Sequence, residues 1–369
     1  MKILLTNGTD IFAGGEDYVR ILALYLRARG HQVWVSALPG HLLLEKCRTA
    51  GIPTVPIAYQ GMNRVWSVAR ELRRHLASLG IDVVHSNANY DRTCAALASA
   101  RLHTRHVAGI HSTHSIQHNI THWLRNRYGT AHFITDADAG RDVLMREDHI
   151  AGERITTVPI GIEDEPPAFR QEMRMRTRGR LGAGDDVVVV GNVARLVPFK
   201  GHRYLLEAIA HVVREEPRVL FPIIGDGELL QDLQERARTL GIESAVRFLG
   251  FQDHLEEWYP AFDIYTHSSL ELAAEMFPIA ILRALAAGLP VVCTRVGGIA
   301  MMVEEGKSGH LVPPEEPALL ARALLGVIRD PVRRQDMGAA SEDLFRRRFH
   351  ASAMAENVER VYRHVLEKG

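Results

Sequence analysis

Cysteine is scarce in this sequence. Cys47, Cys94 and Cys293 are the only three in 369 residues, odd in number and far apart, so they build no disulfide framework, and no CxxC pair marks a zinc knuckle. Long apolar runs are missing too. No window approaches the roughly 18 uncharged apolar residues of a membrane-spanning helix. Met1-Lys2 leads straight into Ile3-Leu4-Leu5, a stretch too short for the apolar core of a secretory leader, so a reducing, cytoplasmic setting is expected. Net charge is absent: 44 Lys and Arg balance 44 Asp and Glu, which argues against nucleic acid as the principal partner. GxxxxGK(S/T) does not occur, which removes the main support for magnesium-assisted phosphoryl transfer. The first glycine pair, in GTDIFAGGED, lacks the GxGxxG spacing of a dinucleotide site. His114, His118 and His122 recur every four residues, but with no carboxylate in that run and no HExxH, no metal is expected.

What the chain does have is an apolar content of 46% on a length that supports two cores. Its charge is uneven. Residues 1–160 hold 18 Lys and Arg against 13 Asp and Glu, so the first part is about +5 and the remainder about −5, and twelve of the 19 histidines fall in the first part. Strands are predicted at 2–7, 32–36, 53–57, 81–85, 106–110 and 133–135, separated by helices at 14–29, 41–50, 64–79, around Ala95-Ala96, and at 137–146. Short β-branched strands alternating with helices indicate a parallel sheet covered on both faces. At 158–181 a proline pair and an acidic cluster precede five arginines from Arg170 to Arg180, read as a crossover and a charged helix whose arginines solvate a surface. Further strands at 187–191, 219–224, 246–249, 263–267 and 290–294 each end in a small or polar loop at the same edge. A turn-like run at 309–314 and helices at 317–328, 332–344 and 352–366 finish the chain. The expected fold class is α/β: two doubly wound Rossmann-like domains, 1–165 and 166–350, facing across a cleft, with a last helix in 351–369.

Candidate chemistry concentrates at 267–298. There a loop carrying Glu275 leads to Pro278 in first-turn position, an apolar helix, Gly288 as its stop, and a strand. A helix starting at a crevice between strands offers unpaired N–H groups and the positive end of its dipole, a seat for phosphate. Glu275 can accept hydrogen bonds from sugar hydroxyls, or be a plain surface charge. Arg195 and Lys200, between a strand and a helix starting near Gly201, form either a diphosphate clamp or a pair of solvated loop cations. His111 emerges at the carboxyl end of the strand at 106–110, where it can bond a sugar hydroxyl or pair with a developing charge. Gly14-Gly15 lets backbone approach something neutral, since Glu16-Asp17 behind it repels phosphate. The helix at 64–79 aligns Val65, Val68, Leu72 and Leu76 on one face, with Arg64, Arg70, Arg73, Arg74 and His75 elsewhere; that face packs on its own sheet or rests on an anionic bilayer.

These pieces together resemble the retaining, two-Rossmann-domain (GT-B) glycosyltransferases of family 4, or group 1. The matching motifs are DVVHSN at 82–87, VPIGI at 158–162, GNVARLVPFKG at 191–201, GDG at 225–227, RFLGF at 247–251, and DIYTHSS leading to EMFPIAILRALAAGLPVVCTRVGG. The resemblance implies transfer of a sugar from a nucleotide-diphosphate donor, a substrate rather than a cofactor, to a glycan or lipid-linked acceptor. The setting it implies is cell-surface polysaccharide or lipopolysaccharide synthesis. It implies that Arg195 and Lys200 hold the donor diphosphate, that Glu275 contacts the donor sugar and that His111 lies near the reacting sugar. Backbone at Met276, Phe277 and Pro278 would cradle sugar and phosphate, Phe251 would lie beside the base, and Gly14, Gly15 and Gly225 would complete the donor contacts. Metal-independent, front-face transfer is implied, as is a last helix crossing back to the first domain. A lipid-linked acceptor would bring peripheral contact with an anionic membrane at its inner face. Two residues depart from the family pattern. Arg283 stands where a second glutamate follows Glu275 by eight positions, and Met301 replaces a glutamate after the later glycine pair. Arg283 is donor-only and cannot accept from a ribose hydroxyl. A non-catalytic nucleotide-sugar or carbohydrate-binding module on the same fold, or a sugar-nucleotide epimerase, therefore stays open.

Overall fold

The computed structural model describes residues 1–9, 14–112, 114–270 and 277–368, without the side chains of 14–16 and 62. Glu275 and Met276 lie outside the described residues. The chain divides into two compact units, one of Met1–Ile162 with Arg348–Gly369 and the other of Glu163–Arg347.

The first unit is built on β1 (Lys2–Thr6), β2 (Gln32–Ala37), β3 (Thr54–Pro56), β4 (Val83–Ser86), β5 (Arg105–Ile110), β6 (His132–Thr135) and β7 (Ile155–Thr157). They form one parallel sheet in the order β3-β2-β1-β4-β5-β6-β7. Every residue of β1 after Lys2 is buried, because helices cover both faces and leave no side of the strand to water. Those helices include α1 (Gly14–Ala28), α2 (Leu42–Thr49), α3 (Val65–Leu79), α4 (Asn89–Ser99), α5 (Ile120–Leu124) and α6 (Asp138–Arg146). The terminal helix, Ala351–Glu367, belongs to this unit and packs Met354, Val358 and Tyr362 into the core with Tyr18, Leu22 and Leu26 of α1. Glu359 anchors it by accepting from Arg29 Nε, at 2.5 Å, and lying 3.3 Å from His31 Nε2. On α3 the apolar stripe is spent inside the unit: Val68, Leu72 and Leu76 are buried with Leu4, Ile57 and Val84. Arg73 donates to the carbonyls of Ala98 and Ala100, closing the carboxyl end of α4.

The second unit carries β8 (Val188–Val193), β9 (Val219–Ile224), β10 (Val246–Phe248), β11 (Ile264–His267), β12 (Val291–Thr294) and β13 (Gly309–Val312), in the order β10-β9-β8-β11-β12-β13. Its helices are α7 (Pro167–Leu181), α8 (His202–Glu215), α9 (Leu230–Thr239), α10 (Ile279–Ala286), α11 (Pro317–Ile328) and α12 (Pro331–Leu344). Two expectations need correction. The run at 309–314 is not simply a turn, since Gly309–Val312 pairs in parallel with Val291–Thr294. A strand of weak propensity forms there because β12 supplies the ladder. Nor do the α7 arginines merely solvate a surface. Arg174 and Arg178 donate to the Asp263 carboxylate at 2.6 and 2.9 Å, and Arg170 reaches Glu342 and the Ala286 carbonyl, each at 3.0 Å. The charged helix is a strut of this unit.

Candidate functional site

In both sheets the strand order reverses beside the first strand of the unit, between β1 and β4 and between β8 and β11. Crevices outside the carboxyl ends of strands at such a reversal are where open α/β sheets bind ligands.

In the second unit the loop leaving β8 carries Arg195 and Lys200. Both stand over the ring of Phe199, with the guanidinium carbon 5.6 Å and the ammonium nitrogen 5.4 Å from its centroid. Two like charges repel, and the electron-rich ring near both offsets part of that cost. Phe199 was not singled out in the sequence, although VPFK places an aromatic beside the cation. The loop is stitched to the strand across the reversal: Leu270 N donates to Phe199 O at 2.8 Å and Ser268 Oγ to Lys200 O at 2.9 Å. Gly201 is required there. Its φ is +65°, and a Cβ would lie 2.1 Å from the Ser268 carbonyl oxygen. The cations are thereby tied to the segment that runs on into 271–276, where Glu275 and Met276 fall.

Neighbouring loops complete this edge. Gly225 follows β9 and donates its N–H to Gly250 O at 2.9 Å, while Leu196 N donates to Asp226 O at 2.9 Å, so the loops after β8, β9 and β10 form one rim. Phe251 stands on that rim with 71% of its surface exposed. Beyond the undescribed segment, Phe277 is buried and Pro278 is the N-cap of α10, with φ −68°. Arg283 lies on α10 within electrostatic reach of Glu165, whose carboxyl is pushed up by burial and by Glu256 and drawn back by Arg283. Glu304 and Glu305, which follow Met301 closely in sequence, are engaged in their own turn. Glu304 pairs with Arg347 at 3.5 Å, and Glu305 accepts from Leu311 N at 2.9 Å and pairs with His310 at 2.8 Å.

In the first unit Gly14 and Gly15 are the first residues of α1. His111 follows β5, and its Nδ1 lies 3.0 and 2.9 Å from the two oxygens of Asp136, which follows β6. Its Nε2 lies 3.3 Å from Asn87 Oδ1, and the ring of Tyr18 on α1 meets it edge-on at 4.8 Å. Burial alone would lower the His111 pKa, but the charge and hydrogen bond of Asp136 outweigh it and raise it. Asp91, 0% exposed, accepts from Thr6 Oγ1 and from the N–H groups of Asn87 and Ala88; burial pushes it up to about 6 against those bonds. Asn87, the last residue of the DVVHSN motif, and Asp136 were assigned no role from the sequence. A signal existed, since both directly follow strands that neighbour β5.

Asp136 also heads the triplet Asp136-Ala137-Asp138, the Asp-x-Asp pattern that a metal-dependent transferase uses. The two carboxylates serve different partners, Asp136 on His111 and Asp138 accepting from Thr157 Oγ1 at 2.8 Å. His118 and His122 stand with ring centroids 5.7 Å apart. Among the described residues no group of three or more His, Cys, Asp or Glu is placed to hold a metal ion, and no helix is long and apolar enough to cross a membrane.

Two family models match this chain. "Glycosyltransferase Family 4" covers residues 12–166 and "Glycosyl transferases group 1" covers 185–330. A D-inositol 3-phosphate glycosyltransferase of Streptomyces bingchenggensis is 33% identical over 221 residues, 56% of this chain and 48% of that protein. The chain thus spans about half the length of that relative. The phosphatidyl-myo-inositol mannosyltransferase of Mycobacterium leprae is 28% identical over 378 residues, 98% of this chain and 95% of that one. Among solved structures, HepE of Anabaena in complex with UDP superposes with a TM-score of 0.83 at 23% identity, covering 99% of this chain and all of the other. At that identity the likeness establishes a shared fold.

Proposed function

As the chain belongs to the two-domain GT-B glycosyltransferases of family 4 and group 1, we propose that it moves a sugar from a nucleotide-diphosphate donor to a glycan or lipid-linked acceptor, with retention at the anomeric carbon. Synthesis of cell-surface polysaccharide or lipopolysaccharide is the proposed setting. The observation that carries this reading is the pair Arg195 and Lys200, gathered on Phe199 and tied through Ser268 to Leu270 to the segment holding Glu275. A fork and a mobile ammonium suit a diphosphate, whose departure needs its charge neutralised. Glu275, with backbone at Met276 to Pro278, takes the sugar hydroxyls; exposed Phe251 offers a stacking face to the base; Gly225 shapes the rim; Gly14 and Gly15 let α1 approach the donor. His111 stands by the reacting sugar. Residues 1–165 serve the acceptor and 166–350 the donor, with the helix in 351–369 returning to the acceptor domain. Arg283 gives the ribose site a donor in place of the usual acceptor.

Because the clamp and the helix start supply the positive charge, activity is expected to persist in excess EDTA. Complete loss that magnesium or manganese restores would contradict this division of labour. Arg283 and Met301 favour one rival, a binding module without turnover. Calorimetric binding of a donor with no release of nucleoside diphosphate, in extracts containing acceptors, would select the rival; donor isomerised without acceptor would select an epimerase.

We further propose a cytoplasmic enzyme in peripheral contact with anionic membrane, and no role for nucleic acid. With the α3 stripe buried and Arg73 engaged, contact falls to Trp66, 72% exposed, and to exposed Arg70 and Arg74. At about 1 kcal/mol per basic residue the attachment is weak and salt-sensitive. Co-sedimentation with anionic liposomes at low salt is expected to drop in Arg70→Glu/Arg74→Glu, and equal, negligible binding by both proteins would reject the contact.

A further inference from the structure

Asn87 has an amide that cannot turn. Its Nδ2 donates to the carbonyl oxygens of Thr6 and His85, at 3.1 and 3.2 Å, and the opposite orientation would press Oδ1 against both. Oδ1 therefore faces Nε2 of His111, and an acceptor in that place requires a proton on Nε2. The other ring nitrogen, Nδ1, faces both oxygens of Asp136, whose side chain is 3% exposed. A carboxylate oxygen accepts, so Nδ1 carries a proton as well. A ring bonded to acceptors at both nitrogens is a cation.

We propose that His111 stands as an imidazolium, held so by Asp136 and by the fixed amide of Asn87, and that it serves as a fixed positive charge for an anionic oxygen of the bound substrate rather than as a base. Its function as a substrate contact rests on the transferase reading, whereas its protonation state does not. Asp136 and Asn87 are positioning residues. The charged and titratable groups facing the ring are Tyr18 on α1, His85 on β4, Asp91 and Arg92 on α4, and Asp136. Of these, Arg92 opposes the cation, and Asp136 and Asp91 favour it. His85 stays neutral, lowered to about 3 by burial and then by the charge of His111, and its Nδ1 is taken by the Tyr362 hydroxyl at 2.7 Å. Gly109 makes the assembly possible, since a Cβ there would lie 2.8 Å from Asn87 Oδ1 and 3.0 Å from His111 Nε2. The His111 side chain keeps 19% exposure, and at 3.3 Å the bond to Asn87 is long enough for the Nε2 proton to be shared with an arriving oxygen. A cation that neither accepts nor releases its proton stabilises a departing phosphate or a phosphorylated acceptor through charge alone.

The pH dependence has a definite sign. With a folded pKa above the ordinary value near 6.5, the pair's contribution to stability is complete below that value and is lost as pH rises through the folded pKa. The activity that the cation supports falls in the same direction. The test is long-range proton–nitrogen NMR of the histidine rings in the ¹⁵N-labelled full chain at pH 7.5, with His111 assigned by the signal missing in His111→Gln. Both ring nitrogens are expected to be protonated in the wild type and in Asp136→Glu, whereas Asp136→Asn gives a neutral ring with kcat reduced about 10²-fold and KM changed little. A neutral His111 in the folded wild type at pH 7.5 overturns the proposal even if Asp136→Asn fails to fold. A neutral ring in Asp136→Asn with unchanged kcat overturns the role as a cation. An imidazolium in a protein that turns over no donor leaves the protonation state standing and removes the transferase reading instead.

Discussion

Lys200→Ala lowers the kcat of sugar transfer by about 10²–10³-fold, a loss of roughly 3–4 kcal/mol of transition-state stabilisation. The ammonium of Lys200, a half-buried residue, lies 5.4 Å from the centre of the Phe199 ring, on a loop whose backbone is bonded to Ser268 and Leu270 independently of the side chain. Truncation therefore removes charge without releasing the loop. Arg195 remains, and a single fork keeps part of the affinity for the diphosphate, so KM rises less than kcat falls. Lys200→Arg recovers little, because a planar guanidinium on the same stem has a different reach and a second fork would crowd Arg195. Initial rates at saturating donor, with thermal melts showing the fold unchanged, measure this. An unchanged rate in both Lys200→Ala and Glu275→Ala would remove the site assignment.

Asp263→Ala destabilises the second unit by about 3–5 kcal/mol. One carboxylate, 14% exposed, accepts from Arg174, from Arg178 and from the N–H of Val189, and thereby joins α7 to the starts of β8 and β11. Its loss leaves Arg178, 8% exposed, as an uncompensated buried cation. Burial would raise the Asp263 pKa, but the Val189 bond and the two arginines lower it below the ordinary value. The stability so gained is present above the unfolded pKa and is lost as pH falls through the folded one. Urea unfolding at neutral pH and in acid measures both effects. The variant is expected to lose less on acidification than the wild type, and a neutral-pH change below about 1 kcal/mol would show the strut to be dispensable, as for an exposed pair.

Much of the architecture was legible because it is written locally. Ile3-Leu4-Leu5 and Val83-Val84 read as buried strands since both their faces are covered. What was not legible depends on partners distant in sequence. The arginines of α7 looked like solvated charge because Asp263 is far along the chain, and β13 looked like a turn because its ladder comes from β12. At the candidate site, Arg195, Lys200 and His111 were readable from their places at strand ends. Phe199, Asn87 and Asp136 were not, since each matters through a contact: a ring shared by two cations, an amide held by two carbonyls, a carboxylate paired with a histidine. The strand order β4-β5-β6 brings the last two beside His111, so the doubly wound topology held the clue. Glu275 and Met276, outside the described residues, rest on the motif alone.

The most direct measurement is release of nucleoside diphosphate from a panel of UDP-, GDP- and ADP-sugars, followed with and without glycan and lipid-linked acceptors in EDTA, with the anomeric configuration of the product read by NMR. One donor is expected to be consumed, faster with its acceptor, giving a product that retains the configuration of the donor sugar. Binding of a donor with no turnover under any acceptor, or a product of inverted configuration, would contradict a retaining transferase built on Arg195 and Lys200.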